Sequence, residues 1–141
     1  MSQAGNGRAV GVLAILTSLG LMAFWAAFFF LGMKLANPPP CYLAFEHSFP
    51  LPDLILAAAL LPGGVLFLKG ARMGALLLLV CSGSLLFLGV LDFSFNIQNG
   101  VYQSSTGDLI GNAFINLWCV GFGLATARAA AQRLDLRRRD G

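Results

Sequence analysis

The chain has 141 residues, of which 57% are hydrophobic and only 11% are charged. Soluble domains carry roughly a quarter charged residues, and a chain this short cannot bury so much apolar surface in a water-soluble core. The composition therefore excludes an ordinary soluble protein and predicts a single domain in a lipid bilayer. The net charge of +3 conceals an uneven placement of the basic residues along the chain.

Residues 9–33 predict the first membrane-spanning helix. No charged residue occurs in this segment, which is longer than the roughly 20 residues that a spanning helix needs. It is also much longer than the apolar core of a secretory signal peptide, and no small-residue cleavage site follows it. We therefore expect the segment to be retained as a spanning helix.

Three consecutive prolines, Pro38–Pro40, separate the first span from the second. Proline lacks the amide hydrogen that a helix needs, so the first helix should end before them and residues 41–51 should form a loop. Proline and an acidic residue are both favourable in a first helical turn, so Asp53 is interpreted as the start of a span over residues 53–68. Pro62–Gly64 in the second half of that span predicts a kink.

Two further apolar segments complete the set of spans. A tight basic turn, Lys69–Arg72, precedes the third predicted span at residues 73–97. The turn signal Asn99–Gly100 follows, and the fourth predicted span covers residues 109–127. Residues 128–141 form a basic tail, which we interpret as a cytoplasmic topology signal that contacts lipid.

The basic residues indicate how these spans are oriented. If the N-terminus is cytoplasmic, Lys34 alone falls on the outer side, and cytoplasmic loops are the ones that carry excess lysine and arginine. The inner group is Arg8, Lys69, Arg72, Arg128, Arg133, Arg137, Arg138 and Arg139. The predicted fold is an all-α membrane protein, a four-transmembrane-helix bundle with both termini cytoplasmic.

Two stripes of polar residues mark the outer ends of the third and fourth spans. Residues spaced by three or four lie on one face of a helix. Polar side chains are costly in the bilayer unless they face inward and meet a partner. One stripe consists of Asp92, Asn96 and Asn99, and the other consists of Asp108, Asn112 and Asn116.

The depths of the two stripes coincide in an antiparallel pair of helices. We therefore expect Asp92 to lie within reach of Asn112, with Asn96 nearer the mouth of a polar pocket. A carboxylate among carboxamides can be neutralised by a proton, a cation or a ligand amine. The alternative is that the asparagines only connect the helices, through hydrogen bonds worth roughly 1 kcal/mol each. For Asn116 this second interpretation is preferred.

The loop before the second span contributes two more candidates, Glu46 and His47. A histidine beside an acid can transfer protons or contribute to a metal site. His47 is the only histidine and has no companion at ligand spacing, so a solvated interfacial loop is the preferred interpretation and no metal site is predicted. Trp118 should face away from Asn112 and Asn116 and pack in the core or against lipid.

The sequence contains no catalytic fingerprint. No serine–histidine–acid order, P-loop or dinucleotide motif is present, so no cofactor is expected and a non-enzymatic role is favoured. Cys41, Cys81 and Cys119 form no closely spaced pair, and their odd number argues against a complete disulfide framework. The basic tail is assigned to lipid, and no nucleic-acid partner is expected.

The segment Asp92–Tyr102, DFSFNIQNGVY, resembles the end of the third span in a family of small bacterial four-span membrane proteins. The resemblance extends loosely over most of the chain, and it implies a multi-pass protein of the bacterial cytoplasmic (inner) membrane without implying an activity or a substrate. The set of acids, histidine, asparagine and tryptophan is also similar to that of emopamil-binding-type sterol isomerases and sigma-2-like proteins. Because Glu46 and His47 fall in a loop here and the chain is short, no catalytic role is carried over.

These features lead to one functional prediction and two alternatives. We expect an outward-facing polar cavity with apolar walls that binds a small amphipathic molecule or a lipid head group. One alternative is a membrane enzyme that uses acid–base chemistry, and the other is an accessory subunit whose polar stripe pairs with another membrane protein. The candidate site residues are Asp92, Asn96, Asn99, Asn112, Asn116, Glu46 and His47.

Overall fold

A computed structural model describes residues 2–139, with side chains described for residues 7–135. The described part is helical and contains no β-strand. Its helices are α1 (Ser2–Leu31), α2 (Tyr42–Glu46), α3 (Pro50–Leu68), α4 (Arg72–Gln98) and α5 (Thr106–Arg139), with a short 3₁₀ helix at Val101–Gln103. The segments long and apolar enough to cross a membrane are Gly7–Leu31, Tyr42–Leu68, Arg72–Gln98 and Thr106–Asp135. The predicted all-α architecture with four candidate spans is confirmed.

The four long helices are packed unevenly around the bundle. α3 packs against both α1 and α4, and α4 packs against α5, whereas the fourth neighbouring pair, α1 and α5, is packed much more loosely than these three. The centre of the core consists of fully buried leucines of α3 and α4, among them Leu60, Leu78 and Leu85. Large apolar side chains such as Phe30 and Phe87 remain exposed on the outer faces. This distribution suits a bundle whose outside meets hydrocarbon.

Glycine and proline set the ends of α1 and α3. α1 ends at Leu31, before the predicted limit, because Gly32 adopts a left-handed conformation with φ of 66° that terminates the helix. α3 begins at Pro50, since proline is well tolerated where the first amide hydrogens have no helical acceptor. Asp53 therefore lies in the first turn of α3, in agreement with its interpretation as a helix-start residue.

α5 extends beyond the predicted fourth span at both ends. It begins at Thr106, where the Oγ of Ser105 accepts a hydrogen bond (3.1 Å) from the backbone N–H of Asp108 and caps the helix. At the other end the helix continues through residues 128–139, so the described part of the predicted basic tail is helical. Residues 140 and 141 lie outside the described residues.

The predicted loop before the second span contains helix α2. Tyr42 is buried in a small cluster with Leu35 and Val101. The neighbouring Phe45 ring stacks on Phe95 of α4, with 3.6 Å between the ring centroids. A helix of five residues is too short for hydrophobic periodicity to reveal, and its packing against α4 fixes it in place.

The stretch Pro62–Gly64 places glycines where α3 meets its two neighbours. A Cβ atom on Gly64 would lie 2.8 Å from the backbone oxygen of Gly11 in α1, and one on Gly63 would lie 3.1 Å from Leu78 Cδ2 in α4. Small residues allow helix backbones to approach this closely in membranes. α3 is a continuous helix through this stretch, and the kink expected there stays a prediction.

Basic residues collect at the end of the bundle where α1 begins and α5 ends. The Arg133 guanidinium lies over the Phe67 ring, 4.6 Å from its centroid, and donates a hydrogen bond to the Phe67 backbone oxygen (3.4 Å). Arg133 also lies beside Gly7 and Gly70. The start of α1, the α3–α4 turn and the late turns of α5 therefore meet at one end, the basic end. The opposite end, with the α1–α2 and α4–α5 connections, is the polar end.

Candidate functional site

A cavity of about 450 Å³ lies between the four long helices. Its walls are mainly apolar, and side chains of α1, α3, α4 and α5 all contribute to them. Two lining residues from the loosely packed pair α1 and α5, Leu16 and Phe114, are also well exposed. The cavity therefore reaches the surface of the bundle along the α1–α5 seam.

Three carboxyl groups line this cavity, and each comes from a different helix. Glu46 is the last residue of α2, Asp53 lies in the first turn of α3, and Asp92 lies near the end of α4. Among the residues that the structure describes, the lining includes no lysine, arginine or histidine. Carboxyl groups removed from bulk water need hydrogen-bonding or charged partners, and the partners that this structure gives them are neutral side chains.

Asp53 is held by a tryptophan of α1. The indole Nε1 of Trp25 donates a hydrogen bond to Asp53 Oδ2 (2.9 Å), and both side chains are buried. This bond joins α1 to α3 and fixes the Trp25 ring in the cavity wall. Asp53 is thus a cavity residue in addition to a helix-start residue, which the sequence interpretation did not include.

Carboxamide groups surround Asp92. Within α4, Asn96 Nδ2 donates a hydrogen bond to Asp92 Oδ2 (3.3 Å). From α5, the Asn116 side chain also lies beside Asp92, and Asn116 Nδ2 donates a hydrogen bond to the Tyr102 hydroxyl (2.6 Å). Asp92 is therefore connected across the α4–α5 contact, at the depth where the two stripes were expected to meet.

One acceptor atom at this point has no partner. Asn116 is fully buried and lines the cavity, and its Oδ1 has no hydrogen-bond partner in the described part of the protein. A buried acceptor without a donor is costly by about 1–3 kcal/mol. A bound molecule that carries an N–H or O–H group would remove that cost.

Glu46 is positioned by the short helix that carries it. Its carboxyl group lies beside the hydroxyl group of Tyr42, one turn earlier in α2. It also lies close enough to Asp92 for the two carboxyl groups to interact electrostatically. α2 thus brings a third acid to the polar side of the cavity.

Trp118 lines the cavity and bridges the α1–α5 seam. Its Nε1 donates a hydrogen bond to Thr17 Oγ1 of α1 (3.1 Å). Its ring stacks between Phe114 and Phe122, with centroids 6.2 Å and 5.3 Å away. Trp118 was expected to point away from Asn116. Both residues line the cavity, because the cavity borders a broad arc of α5.

The predicted contact between Asp92 and Asn112 takes a different form in the structure. Both residues line the cavity, but Asn112 Nδ2 donates to the backbone oxygen of Asp108 within α5 (2.8 Å). The α5 carboxamide that lies beside Asp92 is that of Asn116, one turn further along. Asn96 is buried behind Asp92 and is absent from the lining, so it does not stand at the mouth.

Two other predicted residues lie away from the cavity, among the connections of the polar end. Asn99 donates through Nδ2 to the backbone oxygen of Phe95 (3.0 Å) and accepts a hydrogen bond from Cys41 Sγ (3.4 Å). His47 is exposed and packs against the Phe28 and Phe29 rings of α1. These contacts give both residues structural roles.

Asp108, the first residue of the second stripe, also has a structural role. Its Oδ2 accepts a hydrogen bond from the backbone N–H of Ala36 (3.1 Å). Beside it, the backbone N–H of Asn37 donates to Ser104 Oγ (3.0 Å). These bonds tie the connection after α1 to the start of α5.

Within the described residues, no group of three histidine, cysteine, aspartate or glutamate side chains could hold a metal ion. Fold and site together define an all-helical protein with four candidate membrane spans that surround a mainly apolar cavity lined by three acids. Comparison of the chain with protein-family models, curated proteins and solved structures finds no match.

Proposed function

We propose that this is a multi-pass protein of the bacterial cytoplasmic membrane that binds a small amphipathic molecule or lipid head group in its cavity. The observation that carries this proposal is the cavity of about 450 Å³, whose apolar walls meet a few convergent polar groups. Sites for small molecules in proteins are commonly built this way. Both termini are placed on the cytoplasmic side because the basic residues favour that orientation.

The internal partners of the polar stripes support ligand binding over a role as an accessory subunit. Asp92 and Asn116 meet each other and Tyr102 inside the bundle instead of projecting towards an absent helix. The position of the cavity beside the α1–α5 seam supports a ligand that arrives from the membrane. An amphipathic molecule would place its chain along the apolar wall and its polar group near the three acids.

A cavity-filling variant tests the proposal. Gly20 lines the cavity, and a Cβ atom built there meets nothing within 4 Å, so Gly20→Leu should occupy the cavity from α1. Gly121 of α5 is equally unobstructed but does not line the cavity, so Gly121→Leu is the matched control. Each variant is purified in lipid nanodiscs, and the bound lipids and small molecules are extracted and identified by mass spectrometry.

The expected result is a species that co-purifies with the wild type and with Gly121→Leu but is depleted in Gly20→Leu. All three samples should unfold at similar temperatures, which shows that the loss is one of binding. Identical sets of extracted molecules from the three folded proteins would refute binding in this cavity.

A further inference from the structure

The charge of the cavity lining is unbalanced. Glu46, Asp53 and Asp92 contribute three carboxyl groups, and the lining offers no basic side chain to pair with them. Their protein partners, such as Trp25 and Tyr42, are neutral donors. An acid in this setting favours a positively charged neighbour. A ligand that brings a positive charge would therefore be stabilised here more than a neutral or negative one.

The geometry fits an organic cation better than a metal ion. No three acidic, histidine or cysteine side chains in the described chain come together closely enough to hold a metal. Two indole rings, Trp25 and Trp118, lie in the walls of the same cavity. Aromatic faces attract ammonium groups, most strongly when the site excludes water. The remaining walls are apolar and can accept a hydrocarbon chain.

The unpaired Oδ1 atom of Asn116 favours a ligand that carries a hydrogen-bond donor. Asn116 is fully buried, its Nδ2 donates to the Tyr102 hydroxyl, and its Oδ1 has no donor in the described structure. An ammonium group with at least one N–H can donate to this oxygen once the carboxamide turns towards the cavity, while its charge faces Asp92. A quaternary ammonium group has the charge but no N–H, so it satisfies only one of the two conditions.

We propose that the cavity is selective for an amphipathic ammonium ion that carries an N–H group, with the cationic group held between Asp92, Glu46 and Asn116. This inference rests on the proposed binding function and specifies the chemical class of the ligand. The chain of the ligand lies along the apolar walls, and the indoles of Trp25 and Trp118 flank it.

Four probes with the same dodecyl chain test the selectivity: dodecylammonium, dodecyltrimethylammonium, dodecanol and dodecanoate. The chain contains two tryptophans, Trp25 and Trp118, and both line the cavity, so tryptophan fluorescence reports on this site when the nanodisc scaffold protein carries no tryptophan. The protein is held in nanodiscs of zwitterionic lipid, and the same titration on Gly20→Leu measures binding outside the cavity. Charge-assisted hydrogen bonds should make dodecylammonium bind roughly tenfold or more tightly than dodecanol. Dodecyltrimethylammonium should fall between them, and dodecanoate should bind least.

Two aspartate-to-asparagine variants, one inside the lining and one outside it, test whether Asp92 produces the selectivity. Asp92→Asn removes one of the three carboxyl groups from the lining with little change of shape, and it should reduce the preference for dodecylammonium over dodecanol several-fold. Asp108→Asn makes the same change at the same end of the protein but outside the lining, and it should leave the preference unchanged. If Asp92→Asn does not fold, the comparison of the four probes on the wild type still decides the proposal.

The outcomes separate this inference from the function on which it rests. Equal affinities of the wild type for dodecylammonium and dodecanol would overturn the ammonium selectivity, while a loss of both in Gly20→Leu would still support the binding cavity. Equal affinities of the two ammonium probes would overturn the requirement for an N–H. Titrations that are identical for the wild type and Gly20→Leu would overturn both proposals.

Discussion

Replacement of Gly64 by alanine is expected to weaken the contact between α1 and α3. The added Cβ atom would lie 2.8 Å from the Gly11 backbone oxygen and 2.9 Å from Ile15 Cγ1. A backbone oxygen of a neighbouring helix cannot rotate away, so the two helices must separate along this contact. Overpacking of this kind costs typically about 1–3 kcal/mol. Close van der Waals contact is a main source of helix association in membranes, so its loss should appear in the stability of the whole bundle.

Replacing a helical glycine by alanine also stabilises the helix itself, and this gain must be subtracted from the cost of overpacking. Alanine favours a helix over glycine by about 1 kcal/mol. Gly83 in α4 provides the matched control, because a Cβ atom built there meets nothing within 4 Å and Gly83→Ala has only the intrinsic gain. Gly64→Ala is therefore expected to be about 1–3 kcal/mol less stable than Gly83→Ala.

Gly11→Ala introduces a clash of intermediate severity. A Cβ atom on Gly11 would lie 2.7 Å from the Leu68 side chain, which is flexible, and 3.3 Å from the Gly64 backbone oxygen. Gly11→Ala should therefore lie between the other two variants. The free energy of unfolding is measured in mixed detergent micelles by helical circular dichroism. A Gly64→Ala protein as stable as Gly83→Ala would show that the α1–α3 backbones are not in close contact and would refute the reasoning.

Three further predictions use the same methods or simple labelling. Trp25→Phe keeps an aromatic ring but removes the donor to Asp53 Oδ2, so the free energy of unfolding should fall by about 1–3 kcal/mol, and an unchanged value would show that this buried bond contributes nothing. Ser105→Ala removes the cap of α5 and should lower the stability by about 1 kcal/mol, whereas no change would show that the cap is dispensable. In intact cells a membrane-impermeant maleimide should label the exposed Cys41 from outside, but should not label Lys69→Cys in a Cys41→Ser background until the membrane is opened. Labelling of Lys69→Cys in intact cells would reverse the proposed orientation.

The fold was predictable because its strongest determinant is local. Long uncharged segments predict spanning helices irrespective of their neighbours, and glycine and proline indicate where those helices end. The errors at the ends of α1 and α3 were of a few residues, since Gly32 ended α1 earlier than expected and Pro50 started α3 sooner, whereas α5 continues well past the predicted end of the fourth span. α2 was missed because a five-residue helix that depends on the contact between Phe45 and Phe95 has no periodic pattern of its own.

The cavity was only partly predictable because it depends on how distant helices are paired. Asp92 and Asn116 could be recognised, since polar residues stand out in an apolar segment. The Trp25–Asp53 pair was missed because 28 positions separate its members, and no spacing rule relates residues on different helices. The available signal was Asp53 itself, because an acid within a long apolar region needs an explanation. Its favourable place in a first helical turn supplied one, and its burial was therefore not predicted.

The cavity persists because α1 is attached differently on its two sides. Towards α3, the glycine contact brings the backbones together and Ser18 Oγ donates a hydrogen bond to the Ala57 backbone oxygen (2.8 Å). Towards α5, the connection in the middle of the bundle runs through the long side chain of Trp118, which donates to Thr17. A large indole between two backbones holds them apart as well as together, so α1 cannot close on α5 unless this ring leaves the seam. The packing of α1 against α3 therefore leaves a space on its other side, and a bound molecule can fill that space without any movement of the α1–α3 contact.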